Sequence, residues 1–297
     1  MDSDNPSRTA YSAARYRAVH QVVERGVVLQ DPLAVPIVGQ TPGELAAYAA
    51  ENPERRPMRW FICSRSRFAE DCAADAVQRG VRQLVVLGAG LDTFGYRNPY
   101  PDLRVIELDH PATQRWKLEM LAAAGIDPSP VRHRAIDFER DELAEVLGDV
   151  LEPHQPVLFW WLGVTPYLTT EAVHSTLATL GRLTSTAVVF DHAAPLGDMS
   201  DDARQRHQRR RDHVAALGEP WISEFTPDQL QELLTNCGFT AGQPVHELTI
   251  INRALGRTGQ TPPTPSHLMW ASTGWPDHLA APNAAASAGH DAAVRAP

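Results

Sequence analysis

The chain has 297 residues, 27 lysines and arginines against 36 aspartates and glutamates, a formal net charge of −9, and 43% hydrophobic residues. This is the balance of a globular protein with an ordinary core, and it excludes collagen-like, coiled-coil and wholly disordered chains. At roughly 100–200 residues per domain, the length allows one large α/β domain or a domain with an appendage. An acidic chain is poorly matched to phosphate backbones, because non-specific nucleic-acid affinity comes mainly from Lys and Arg, so nucleic acid is not the expected partner.

The three cysteines, Cys63, Cys72 and Cys237, form no C-x-x-C pair. They are too few for a disulfide framework or a four-cysteine zinc site, so no metal centre is expected and the expected setting is a reducing cytoplasm. Residues 1–10 are polar, and no run approaches the ~18 apolar residues of a membrane span, so no membrane partner is expected either. The oligomeric state is left open.

In chain order, Tyr11, Ala14, Ala18, Val19, Val22 and Val23 recur near helical spacing. They predict one or two amphipathic helices over residues 9–30, interrupted by Gly26 and closed by the turn at Asp31-Pro32-Leu33-Ala34. Thr41-Pro42-Gly43-Glu44 predicts a helix start, with proline in its first turn. A third helix is expected over residues 60–78, so residues 1–80 form a helical segment that precedes any strand.

The pattern then changes. Strand-like runs at 83–87, 103–109, 134–136, 157–161 and 187–191 alternate with helical stretches at 112–124, 142–147 and 171–183. This alternation specifies βαβ units and a Rossmann-like α/β fold with a doubly wound, mostly parallel sheet. Such sheets bind ligands beyond the carboxyl ends of their strands, and these strands end in polar or acidic residues. Residues 81–257 are read as this core.

Residues 198–217 form an arginine-rich helical insertion containing Arg204, Arg206, Arg209, Arg210 and Arg211. It reads as a solvated face, as a mobile lid over an anionic substrate or, against the net charge, as an RNA-contacting patch. Thr226 caps and Pro227 opens a helix that stops at Gly238. Residues 244–249 and 250–255 read as two final strands, residues 258–297 as a Pro- and Ala-rich extension, and 281–297 as a disordered tail.

Gly88-Ala89-Gly90 follows a strand and precedes a helix, but Thr93 stands where a dinucleotide fingerprint has its third glycine. A nucleoside without a pyrophosphate asks less: small residues let the backbone approach, and a helix end can face a carboxylate. S-adenosylmethionine fits that description. Asp109, ending the second strand, can accept from both ribose hydroxyls, with Glu107 on the same face. Asp137 can accept from the adenine amino group, and Phe138 can pack on the base. Plainer readings stand beside these: a tight turn at the glycines, a helix cap at Asp137, a structural carboxylate at Glu107.

The run Val85-Val86-Leu87-Gly88-Ala89-Gly90-Leu91-Asp92-Thr93, then Tyr96-Arg97, Glu107-Leu108-Asp109-His110-Pro111 and Lys117, resembles the leucine carboxyl methyltransferase family, including its bacterial polyketide O-methyltransferases. Arg8-Thr9-Ala10, Arg65-Ser66-Arg67-Phe68, Gly163-Val164-Thr165-Pro166-Tyr167-Leu168 and Pro220-Trp221 extend the likeness over roughly residues 8–255. The resemblance implies a class I methyltransferase fold, S-adenosyl-L-methionine as cofactor, and N-terminal helices acting as a lid. It implies that Arg65 pairs the methionine carboxylate, with Arg17 as a second cation from the lid. Gly88 and Gly90 would line the methionine portion, Asp109 would hold the ribose, and Asp137 with Phe138 the adenine. The chain departs at Leu162, where many members carry an acidic residue and leucine cannot accept a hydrogen bond.

Methyl transfer from a sulfonium is an in-line displacement, so the protein mainly positions the reactants and excludes water. A carboxylate acceptor is already ionised at neutral pH and needs no base. A phenol benefits from one, and His192, Asp191 and Tyr167 are candidates at the opening, each also readable as a capping or packing residue. Trp160, Trp161 and Trp221 read as core or as walls of an aromatic pocket. The expected activity is O-methylation of a carboxylate or phenol on a small molecule of secondary metabolism. Protein or tRNA methylation, a non-catalytic nucleoside-binding module and an NAD-dependent oxidoreductase are the rival readings.

Overall fold

The computed structural model describes residues 6–195, 201–257 and 267–274. The N-terminal helices are α1 (Arg8–Val23), α2 (Ala34–Val38), α3 (Pro42–Glu51) and α4 (Arg56–Gln78), with a 3-10 turn at Pro53–Arg55 leading into α4. Helix α1 ends at Val23, just before the interruption expected at Gly26, where Arg25 and Gly26 both take positive φ, 54° and 64°, and no second helix follows before residue 30. Helix α3 starts where Thr41 and Glu44 exchange hydrogen bonds as a capping box. Helix α4 begins four residues earlier than expected, with Pro57 in its first turn. Ala14, Ala18, Val19, Ile37 and Leu45 bury one another and reach Leu91 and Leu121 of the core, so this segment packs on the α/β unit through its own apolar cluster.

The α/β unit runs β1 (Gln83–Leu87), α5 (Phe94–Arg97), β2 (Arg104–Asp109), α6 (Pro111–Ala123), β3 (Val131–Ala135), α7 (Leu143–Val150), β4 (Val157–Trp161), α8 (Thr170–Gly181) and β5 (Thr186–Asp191). Then come α9 (Asp201–Ala216), α10 (Pro227–Asn236), β6 (Ala241–Val245), α11 (Glu247–Ala254) and β7 (Leu268–Thr273). The seven strands lie in the order β3-β2-β1-β4-β5-β7-β6. The first five pair in parallel, and β7 runs antiparallel to both β5 and β6. The sheet is therefore doubly wound and mostly parallel, and the order reverses between β1 and β4, where such sheets open a crevice.

The central strands β1, β4 and β5 are buried along their whole length, and their alternate side chains feed two cores. Val85, Phe159, Trp161 and Phe190 pack with residues of α7, α8 and α10, whereas Leu84, Val86, Leu158, Trp160 and Val189 pack with α4. Adjacent tryptophans thus face opposite sides of the sheet, and both are core residues.

The sequence pattern misleads in the last sixty residues. The run expected as a strand over 250–255 belongs to helix α11: His246 caps it by accepting from the Leu248 amide, and Ile251 packs on Cys63 and Trp60 of α4. A β-branched run, Thr249-Ile250-Ile251, suggests a strand, but burial against a helix decides the outcome. The other expected strand, 244–249, is displaced to β6, where Pro244 is tolerated on the sheet edge. Strand β7 lies inside the segment expected as an extension, and all six of its residues are buried between β5 and β6. The expected tail, 281–297, lies outside the described residues. Among the described residues, no helix is long and apolar enough to cross a membrane.

Candidate functional site

The site begins where β1 ends. Gly88 and Gly90 take φ of 66° and 50°. A Cβ at Gly88 would meet Val164 Cγ2 at 2.3 Å, and one at Gly90 would meet Ala10 Cβ at 3.0 Å. The loop is therefore clamped between the loop after β4 and the first turn of α1, and glycine is needed for backbone angle and for space.

The freed amide of Gly90 donates to Asp109 Oδ2, and the His110 amide donates to Asp109 Oδ1 at 2.6 Å. The carboxylate at the tip of β2 is fixed in place, and each oxygen retains acceptor capacity. Burial pushes this carboxyl up, while the two amides hold it down. Glu107, two residues earlier, does not line the cavity: it accepts from Lys117 Nζ and from the Tyr96 hydroxyl at 3.2 Å in a buried cluster under α6. After β3, Asp137 stabilises its own turn, with Oδ1 accepting from the Glu139 amide at 3.0 Å, and it also faces the cavity with Phe138.

Arg65 enters from α4, and its guanidinium is 2.7 Å from Asp191 at the end of β5, with Nη1 donating to Oδ2. The other Asp191 oxygen accepts from the Gly163 amide. Gly163 has φ of 73°, and a Cβ there would lie 2.6 Å from Arg65 Nη2, so this glycine makes room for the guanidinium. Arg65 is 8% exposed, and its Nε–H is buried without a partner among the described residues. Asp191, a candidate base in the sequence, is thus an anchor for Arg65. Arg17 reaches the same wall, but it is tied to Asp31 at 3.2 Å and to the Leu91 carbonyl. Asp31 also accepts from the Thr93 hydroxyl at 2.7 and 2.8 Å, so the residue that breaks the dinucleotide fingerprint joins the N-terminal helical segment to the glycine loop.

Arg65, Gly88, Gly90, Asp109, Asp137, Phe138, Tyr167 and His192 all line one cavity of about 1230 Å³. Leu162, Trp160 and Trp221 contribute to the same wall, whereas Trp161 does not. Tyr167 follows Thr165 and Pro166 in a 3-10 turn, and burial raises its phenol. His192 follows β5 and is 6% exposed. Burial lowers its imidazole below the ordinary histidine value.

Sequence reasoning missed how the cavity is roofed. Glu219, after α9, accepts from the Ser7 hydroxyl at 3.0 Å, the Arg8 amide at 2.6 Å, the Thr9 amide at 3.3 Å and the Thr9 hydroxyl. This puts a carboxylate on the N-terminus of α1, where the helix dipole favours one. The arginine-rich insertion is α9, and Arg209, Arg210 and His213 line the cavity beside Arg55. It is held by Arg211 and His207 to Glu224 and by Arg55 to His213 at 3.3 Å. No local signal marks Glu219, because its partners lie more than two hundred residues away.

Residues 10–181 match the family model described as leucine carboxyl methyltransferase. A Saccharopolyspora erythraea protein, named as a candidate S-adenosyl-L-methionine-dependent methyltransferase, is 32% identical over 191 residues, covering 60% of this chain and 67% of its own. A Bacillus subtilis protein named in the same way is 27% identical over 267 residues, covering 80% of this chain and 88% of its own. Among solved structures, one from Thermobifida fusca titled as a candidate methyltransferase matches with a TM-score of 0.51 at 15% identity, covering 91% of this chain and 95% of that one, a likeness of fold.

Proposed function

The chain belongs to the leucine carboxyl methyltransferase family and is an S-adenosyl-L-methionine-dependent methyltransferase; from that premise, we propose that it methylates oxygen, a carboxylate or a phenolic hydroxyl, on a small molecule of secondary metabolism. The carrying observation is the cavity. Drug-sized ligands occupy pockets of about 300–1,000 Å³, and about 1230 Å³ leaves room for the nucleoside and a second small molecule under one roof.

The residues present fit the cofactor. The buried, unpartnered Nε–H of Arg65 lies on the side of the guanidinium that Asp191 does not use, and a carboxylate takes two such donors in a fork. Asp109 holds the ribose diol, the Gly88–Gly90 backbone follows the methionine chain, and Asp137 and Phe138 take the adenine. The bound cofactor supplies an electrophilic methyl group on sulfur. The chain itself orients the acceptor and excludes water, using Phe61, Met58 and Trp221 as apolar wall and α1 with α9 as cover. A roof tied down by Glu219 and Glu224 favours a small acceptor over the surface of a folded protein or tRNA.

The test is transfer from methyl-labelled S-adenosylmethionine to a panel of phenols and aromatic acids, protein C-termini and tRNA. Labelling of small phenols or acids is expected. Transfer to tRNA or protein alone would overturn the small-molecule reading, and cofactor binding with no transfer to any class would favour a binding module.

A further inference from the structure

His192 is set by three contacts that leave one ring nitrogen uncommitted. Its amide donates to the His267 carbonyl at 3.0 Å, which fixes the backbone across β5 and β7. Its Nδ1 lies 3.2 Å from the Ala193 carbonyl, an acceptor only, so Nδ1 carries the proton in the neutral ring and Nε2 carries the lone pair. Nε2 has no hydrogen-bonding partner among the described residues, and the residue lines the cavity. The neighbouring ring, His267, stands 6.1 Å away between centroids and meets Phe61 edge-on, placing a second imidazole beside the first.

The charges around the ring select an acceptor type. Asp191 precedes His192 on β5, and Arg65 on α4 is bound to Asp191. The other cavity arginines are Arg17 on α1, tied to Asp31, Arg140 in the turn after β3, Arg55 before α4, and Arg209 and Arg210 on α9, of which Arg210 is near enough to His267 to hold its imidazole down. An acceptor carboxylate at the end of β5 would meet the negative Asp191, and the Arg65 guanidinium there is shared between Asp191 and, on the proposed function, the cofactor's own carboxylate. A neutral hydroxyl meets a neutral base, and Asp191 stabilises the imidazolium that forms once the proton has moved.

We propose that His192 Nε2 is the general base of the transfer and that the acceptor is a neutral, phenol-type hydroxyl rather than a carboxylate; this deepens, and rests on, the small-molecule O-methylation reading. His192 Nε2 takes the O–H proton as the hydroxyl oxygen bonds the methyl carbon. The carbon–sulfur electron pair stays on sulfur, which passes from sulfonium to thioether, and His192 later returns the proton to solvent. Burial keeps both His192 and His267 below the ordinary histidine value, so the base is neutral at pH 7.

The test compares 1-naphthol with 1-naphthoic acid, using the whole chain and labelled S-adenosylmethionine. Transfer to the naphthol is expected, with a rate that is flat through neutral pH and falls only at pH below the ordinary histidine value, because burial lowers the His192 imidazole. H192Q should lower kcat by about 100-fold or more, while the calorimetric Kd for S-adenosylhomocysteine changes less than about twofold. Methylation of the acid alone, or full kcat in H192Q, overturns the assignment; methylation of the acid leaves small-molecule O-methylation standing. Should neither compound react, nitrogen NMR of histidine-labelled protein at pH 7 decides. A neutral His192 with the proton on Nδ1 supports the proposal, whereas an imidazolium or an Nε2–H tautomer overturns it.

Discussion

The two halves of the cavity are built at different ranges along the chain. In the cofactor half, the Gly90 amide and Asp109 are 19 residues apart and are joined by the parallel pairing of neighbouring strands. In the proposed acceptor half, Arg55 reaches His213 across 158 residues and the α1 N-terminus reaches Glu219 across more than 200, and on the cofactor side Arg65 is the exception, held at such range by Asp191 across 126. A short-range frame of backbone donors and one carboxylate constrains its own sequence tightly. A long-range frame depends instead on helices brought together by packing. On the proposed function, the fold separates what is held from what is modified.

The largest expected effect breaks the short-range frame. Asp109→Ala removes the acceptor for the ribose hydroxyls and strands the Gly90 and His110 amides. Charged hydrogen bonds contribute roughly 1.5–3 kcal/mol each, so S-adenosylmethionine binding should weaken by about 100-fold by calorimetry. An unchanged Kd would mean that the nucleoside is held elsewhere. Next comes Gly88→Ala. The positive φ costs about 1–2 kcal/mol, and a Cβ 2.3 Å from Val164 Cγ2 adds an overpacking cost of about 1–3 kcal/mol. Urea denaturation should show Gly88→Ala to be less stable than Gly90→Ala, whose new Cβ meets Ala10 at 3.0 Å. The reverse order would place the tighter clamp on the α1 side.

The contrast in range also explains what could be read from the chain. Strands β1 and β4 were legible to the residue, because short apolar runs bounded by turns can be buried on both faces only as central parallel strands. The Thr226-Pro227 helix start was legible because capping is local. The eight proposed site residues converge on one cavity because each follows a strand end or sits in a motif. Helix α11 and strand β7 were not legible. The first takes its state from contact with α4, and the second lies within a stretch whose composition resembles a linker. The Asp191 anchor and the Glu219 clasp were hidden for the same reason: a carboxylate's partner cannot be inferred from its neighbours when it arrives from another part of the fold.

A smaller effect should stay confined to the acceptor half. Trp221→Ala removes an aromatic wall that meets His207 at 5.4 Å between ring centroids. An aromatic contact of about 1.5 kcal/mol or less corresponds to roughly tenfold, so KM for the acceptor should rise by about that factor while the Kd for S-adenosylhomocysteine remains within about twofold. Equal losses on both sides would dissolve the distinction between the halves.

The smallest expected effect tests whether the roof acts on the acceptor alone. Glu224 accepts from Arg211 and lies 3.4 Å from His207 Nε2, and these contacts tie α9 to the segment before α10. The Arg211 side chain is 39% exposed and that of Glu224 21%, and pairs so open to water contribute at most about 1 kcal/mol. Glu224→Gln should therefore raise the acceptor KM by no more than about fivefold. The midpoint of thermal unfolding should move little, because no buried charge is left unpaired. Raising salt toward about 1 M shortens the screening length to about 3 Å, so wild-type KM should drift toward the Glu224→Gln value while the variant's own KM hardly changes. Arg211→Gln, which leaves the His207–Glu224 contact in place, should give at most the same shift, and the double variant no more than Glu224→Gln alone. If Glu224→Gln instead weakens S-adenosylhomocysteine binding as much as it raises KM, α9 closes over the nucleoside as well, and the long-range half governs both ligands.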